Sequence, residues 1–219
     1  MSRTLFITAT DTNAGKTWVT SSLLRTCLAQ GLDIQALKPI ASGLNDEGVN
    51  EDVAILLADQ PNRQQQDINF ITYDRPLAPA LAAQQQGCTM QIAALHNWTN
   101  QQIAKYDITL IEGVGGMMVP LLVNDKVQWL VSDWLKSLVQ VEVMLVVPLR
   151  LGCMNQALLN CQYLQSIGQS PRWLVFNDMD NTDTFEETTN VLKPVLHNML
   201  HNMPEILCLA QGGAMPQLV

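Results

Sequence analysis

The sequence predicts a doubly wound α/β fold, a mainly parallel sheet flanked by helices. Three observations carry this. Short apolar β-rich runs alternate with longer helical patterns along the chain. Several runs are apolar at nearly every position, as strands buried on both faces of a parallel sheet are. The first run leads into a loop ending in Gly15-Lys16-Thr17, and a helical pattern follows. That strand–loop–helix order is the context of a phosphate-binding loop.

The predicted strands are residues 5–9, 34–37, 108–111, 141–147, 173–176 and 206–209. Each is rich in Ile, Val, Leu or aromatic residues. A first helix is expected over 17–30, stopped by Gly31. A second, over 51–58, follows Asn50, a good N-cap, and a third, over 90–105, follows Thr89. A fourth, over 154–167, places Met154, Ala157, Leu158, Cys161, Leu164 and Ile167 on one face and ends at Gly168. A fifth spans 184–200, with Pro194 expected to break or kink it.

The chain has 219 residues, 47% of them hydrophobic and 15% charged, with no composition break or Ser/Gly linker. One domain over 1–219 is expected. The net charge of −8 argues against nucleic acid or an anionic membrane as partner, since both call for a basic footprint. No stretch reaches the ~18 apolar residues of a membrane span, and "MSRTLFITAT" is too short in apolar residues for a signal peptide. Cys27, Cys88, Cys153, Cys161 and Cys208 form no CxxC pair and read as reduced thiols. A cytoplasmic protein is expected.

The loop "TDTNAGKT" departs from G-x-x-x-x-G-K-[ST], because Thr10 stands where the first glycine belongs and Ala9 precedes it. Lys16 would still reach β- and γ-phosphates, and the Thr17 hydroxyl would ligate Mg²⁺. An ordinary helix start remains the alternative. Glu112 ends the apolar strand "DITLIEG" and can hold Mg²⁺ with Thr17 and a second acid; the flanking Gly113, Gly115 and Gly116 allow close backbone approach. Asp52 is the best second acid, or else caps a helix or compensates its dipole in the first turn. Lys38 is either a surface lysine or a cation over transferring charge. Thr12 and Ser42 offer hydroxyls to the same space or bond within turns. The Asn177 amide can pair with an adenine edge or form an Asx-turn. Residues 152–155 are a helix start with free N–H groups, or a plain cap. His96, His197 and His201 lack metal-ligand spacing, and neither G-x-S-x-G nor G-x-G-x-x-G occurs.

"ATDTNAGKT" resembles the loop of the dethiobiotin synthetases, in which five residues separate the first glycine from GKT; Ala9 replaces that glycine and Asn13 stands where Glu or Gly is frequent. "LKPIASG" (37–43), "NEDVAILL" (50–57), "YDRPLAPALAA" (73–83), "LIEGVGG" (110–116), "PLRLGCMNQALL" (148–159) and "LVFND" (174–178) resemble further segments of that family in the right order, with Ala80 where His is common. The resemblance implies a P-loop NTPase-like fold and an ATP- and Mg²⁺-dependent ligase of biotin synthesis. Its substrates would be 7,8-diaminononanoate, CO₂ and ATP. It implies catalytic roles for Lys38, Lys16 and Thr12, and nucleotide contacts from Asn13, Ala14, Gly15, Lys16, Thr17, Glu112, Gly115, Asn177 and Pro204. Thr17, Asp52 and Glu112 would hold the metal. Thr12, Lys38, Ser42, Gly152, Cys153 and Asn155 would meet the substrate, the last three from the partner subunit of a homodimer. Switch ATPases of partitioning and septum placement share the fold but carry K-G-G-x-G-K-[ST]; no lysine precedes Lys16 in this loop. The cobyrinate amidase group adds a glutaminase domain for which 219 residues leave no room.

Overall fold

A computed structural model describes residues 2–216. Among them, six strands form one parallel sheet: β1 (Arg3–Ala9), β2 (Ile34–Leu37), β5 (Ile108–Gly116), β8 (Val141–Pro148), β9 (Trp173–Asp178) and β10 (Glu205–Ala210). Their order is β2-β5-β1-β8-β9-β10, and every pairing is parallel. The order reverses at β1, so the loop after β1 opens at the crevice where such sheets bind ligands. All six residues of β9 and the last six of β1 are buried, as their unbroken apolar runs require.

Helices α1 (Lys16–Ala29), α2 (Glu51–Ala58), α3 (Gln65–Ile68), α4 (Pro79–Gln85), α5 (Ile92–Ile103), α6 (Val131–Ser137), α7 (Cys153–Ser166) and α8 (Phe185–Met199) cover the sheet and its edges. Trp134 of α6 is fully buried and meets the Phe6 ring of β1 edge-on at 5.1 Å. Two small ladders complete the fold: parallel β3 (Ile40–Ser42) with β4 (Ile71–Tyr73), and antiparallel β6 (Pro120–Val123) with β7 (Gln128–Leu130).

The structure corrects four local expectations. Helix α5 starts at Ile92 after Gln91, not at the Thr89 cap; Met90 is drawn into the core, and the chain around it stays non-helical. The buried face of α7 is Cys153, Ala157, Cys161 and Leu164, with Met154 turned outward. Pro194 lies inside α8, which continues to Met199, so the proline does not break the helix. Strand β5 does not end at Glu112 but runs to Gly116. Its glycines make that possible: a Cβ on Gly113 would lie 3.1 Å from the Phe6 ring, and one on Gly116 would lie 3.2 Å from Ala9 O.

Candidate active site

The loop from Thr10 to Gly15 joins β1 to α1. Ala9 is a fully buried strand residue, and the tight turns fall later, at Asn13 (φ 59) and Gly15 (φ 86). Alanine therefore suits position 9, and asparagine is the side chain that best tolerates a left-handed backbone at 13. The loop floors a cleft of about 500 Å³ lined by Thr12, Asn13, Gly15, Lys16, Thr17, Lys38, Ser42, Asp52, Glu112 and Gly115. Nearly all of the expected site residues of the first half of the chain thus converge.

At the centre is a cluster of four side chains. The Lys38 ammonium donates to Asp52 Oδ2 at 2.8 Å and to Glu112 Oε1 at 2.5 Å. The Thr17 hydroxyl lies 2.7 Å from Asp52 Oδ1 and 2.8 Å from Glu112 Oε1. Lys38 is 3% exposed and Glu112 0%, so Lys38 is no surface lysine. Asp52 does not cap α2, because the Asn50 side chain accepts from Val53 N–H. Glu112 Oε2 and Ser42 Oγ are buried without a partner. One hydroxyl and two carboxylates make an oxygen-only set, the kind a hard divalent cation prefers. No cluster of three or more His, Cys, Asp or Glu that could hold a metal occurs among the described residues, so an ion here would complete its shell from phosphate and water.

Charge follows the same geometry. Burial pulls the Lys38 pKa down, but Glu112 and Asp52 outweigh it and raise it above the ordinary lysine value. Burial, reinforced by the Lys38 charge, brings Lys16 down to about 8 against the pull of Glu112, Asp52 and Asp11. Asp52 is raised by burial and lowered by Lys38, with Thr17 adding to the fall; the net is downward.

Other expected residues stand outside the cleft. Ala14 is buried beneath the loop, and Asn177, inside β9, donates from Nδ2 to Ala14 O at 2.9 Å. That bond replaces the Asx-turn alternative. Gly152 and Asn155 are exposed at the start of α7. Their segment is tied to the loop by an ion pair of Arg150 with Asp11 at 2.8 Å. Cys153 is buried, and its N–H already bonds Arg150 O. Pro204 is a correction. It precedes β10, whose Glu205 pairs with Trp173 at the start of β9, so it sits at the N-terminal edge of the sheet while the loop sits at the C-terminal edge. The end of β10 that reaches the loop side is Ala210, opposite Asp178. Sequence reasoning missed Val114 and Val119, which line the cleft with Pro76, Leu77, Ala78 and Pro79. The "RPLAP" string was a signal for the latter four, and nothing marked the valines.

A family model described as an AAA domain matches residues 3–208. The ATP-dependent dethiobiotin synthetase BioD of Alteromonas mediterranea is 36% identical over 204 residues, covering 87% of this chain and 87% of the relative. That of Marinobacter nauticus is 38% identical over 170 residues, covering 75% and 70%. This chain belongs to the dethiobiotin synthetase family. Solved structures show the wider fold: the septum site-determining protein MinD complexed with Mg-ADP from Pyrococcus horikoshii (TM-score 0.51, 15% identity, 90% of this chain and 84% of that one), and a ParA family ATPase from Chlorobium tepidum (TM-score 0.53, 12% identity, 96% and 85%). At these identities the likeness is one of fold. The synthetase relatives, not the switch ATPases, share this chain's sequence.

Proposed function

We propose that this chain, acting as one domain, is an ATP- and Mg²⁺-dependent ring-closing ligase that converts 7,8-diaminononanoate and CO₂ to dethiobiotin. One amine of the diamine takes up CO₂ as a carbamate. The γ-phosphoryl group of ATP passes to a carbamate oxygen, giving a mixed anhydride and ADP. The second amine attacks the carbamate carbon, closes the five-membered ureido ring and releases phosphate. The observation that carries this reading is the buried Lys38 ammonium, beside the acid cluster and in the same cleft as the phosphate loop.

In this reading the loop N–H groups and Lys16 cradle the phosphates. Thr17, Asp52 and Glu112 would hold Mg²⁺, whose chemistry is to neutralise charge on the β- and γ-phosphate oxygens. Lys38 leaves its carboxylate partners to meet the carbamate oxygen, and Thr12 and Ser42 offer hydroxyls to the substrate. Phosphoryl transfer is chiefly positioning and charge stabilisation. Ring closure is intramolecular, which accounts for a cleft without a nucleophilic triad or histidine. Gly152 and Asn155 of a second subunit would receive the substrate carboxylate; Cys153, buried with its N–H engaged, would pack rather than bind. The fully exposed Leu151 beside them supports such pairing. All five cysteines are free, which supports a reducing, cytoplasmic compartment, and no helix among the described residues is long and apolar enough to cross a membrane.

The test supplies diamine, bicarbonate, Mg²⁺ and ATP and follows dethiobiotin by mass. Stoichiometric product and ADP are expected. ADP release at the same rate with and without diamine would place the chain with the switch ATPases instead.

A further inference from the structure

We propose that Asn177 is a positioning residue: it fixes the orientation of the Ala14–Gly15 peptide, and so holds the phosphate loop ready for a triphosphate, while its amide oxygen stays free for the base. The inference rests on the nucleotide reading above and extends it from base recognition to the geometry of the loop.

The argument begins with Gly15. Its φ of 86 is open to glycine at little cost, but glycine adopts either sign of φ about equally. Sterics therefore do not choose between the two orientations of the peptide that precedes it. The hydrogen bond does. Asn177 Nδ2 donates to Ala14 O at 2.9 Å, and both residues are buried. In a trans peptide the Gly15 N–H then points the opposite way from that carbonyl. Among the described residues no acceptor pairs with that N–H, and Gly15 lines the cleft. A flipped peptide would instead aim the Ala14 carbonyl oxygen at the phosphates.

The anchor itself is rigid. Asn177 lies in the fully buried β9, and its own carbonyl accepts from Leu149 N–H at 2.9 Å. Amide and loop are packed so closely that a Cβ on Gly15 would lie 1.9 Å from Asn177 Nδ2. The other end of the same amide, Oδ1, is buried and has no partner, a state native proteins rarely leave uncompensated. A donor from the nucleotide base, such as an exocyclic amine, would satisfy it. One side chain would then read the base and hold the loop at once.

Inorganic triphosphate with Mg²⁺ separates the two roles, since it has phosphates and no base. Calorimetric binding of triphosphate and of ATP is measured on the wild-type protein, Asn177→Asp and Asn177→Ala, with the unliganded unfolding midpoint of each. The aspartate puts an acceptor against Ala14 O; the alanine variant gives the reading should that buried charge prevent folding. Loss of a buried hydrogen bond of this kind predicts triphosphate affinity lower by about tenfold or more in the folded variants, with ATP affinity falling further. Triphosphate affinity within twofold of wild type would overturn the proposal: with ATP weakened it would leave Asn177 as a reader of the base alone, and with only the unfolding midpoint lowered it would leave a merely structural residue. Wild-type protein that bound neither ligand would refute the nucleotide reading itself.

Discussion

Lys38→Met tests the cluster at its least replaceable point. The two carboxylate oxygens lie 2.8 and 2.5 Å from the one ammonium, so they are at most about 5.3 Å apart. Without the cation, two charges at that distance repel by about 3 kcal/mol at an effective dielectric of 20. The Asp52 side chain is 44% exposed, and solvent screening reduces this to about 1–2 kcal/mol. The pH dependence has a definite sign. Lys38 and Thr17 hold Asp52 below its ordinary value, so the wild-type contribution is present above about pH 4 and fades as pH falls through the lowered pKa. In the variant that contribution is absent or reversed. Its stability deficit should be largest at pH 7–8, shrink toward pH 5 as a carboxyl takes up a proton, and shrink on adding Mg²⁺. In the proposed reaction the missing cation would leave carbamate and γ-phosphate facing each other, and dethiobiotin formation should fall about 100-fold or more, the scale of removing one preorganised electrostatic donor. ATP affinity should change by less than about tenfold, because the loop remains. Urea unfolding at three pH values with and without Mg²⁺, product formation by mass and ATP binding by calorimetry, on one preparation, measure all of this. Product formation within a few-fold of wild type, or a stability deficit independent of pH, would refute the reasoning.

Further outcomes follow from single contacts. Lys16, brought to about 8 by burial and the Lys38 charge, must be protonated to meet phosphate. Nucleotide affinity should therefore weaken above pH 8, by up to about tenfold per pH unit, with proton uptake on binding seen by calorimetry in buffers of different ionisation enthalpy; flat affinity from pH 7 to 9.5 would remove Lys16 from the phosphates. Asp52→Asn should weaken the Mg²⁺ dependence of ATP binding by about tenfold or more while triphosphate without metal binds as before. Gly15→Ala meets both the left-handed backbone and the Asn177 amide at 1.9 Å and should abolish nucleotide binding, read by equilibrium dialysis. Trp134→Ala, which opens a cavity against Phe6, should cost about 3–5 kcal/mol of stability in urea unfolding, without changing the ATP affinity of the folded fraction.

How far the fold was legible depended on how local its causes were. β2 and α2 begin and end where their patterns place them, because Ile34–Leu37 is a continuous buried run and Asn50 caps its own helix. The ladders β3–β4 and β6–β7 were not legible: three- and four-residue strands carry little pattern, and their pairing is decided by what the chain packs against. Thr89 looked like a cap, yet burial of Met90 outweighed the bond that a cap contributes, worth about 1 kcal/mol. The outward turn of Met154 shows the same ordering, since Cys153 and Ala157 pack where the longer side chain was expected. Pro204 failed for a different reason: it marks the entry of β10, and only the register, Glu205 against Trp173, reveals that the entry faces away from the loop.

The cluster of Thr17, Lys38, Asp52 and Glu112 was named residue by residue, and the family resemblance implied one metal held by Thr17, Asp52 and Glu112, but the contact of Lys38 with both acids was not readable in sequence. It depends on strand order. Leu37 pairs with Ile111 and Ile7 with Glu112, so the step after Leu37 brings Lys38 level with Glu112, and Glu112 stands between the loop strand and the lysine strand. With β5 on an outer edge, Glu112 would lose one neighbour and Lys38 would face β1 directly. Insertion of β5 between β1 and β2, with Asp52 added from α2, turns four separated segments into one site in which a single ammonium meets two carboxylates. The glycines after Glu112 are what let that strand pass close to β1, since a Cβ on Gly113 or Gly116 would press on Phe6 or on the Ala9 carbonyl. The glycines that sequence marked for close backbone approach make that approach against β1, and it is their smallness that delivers the acid to the phosphate loop.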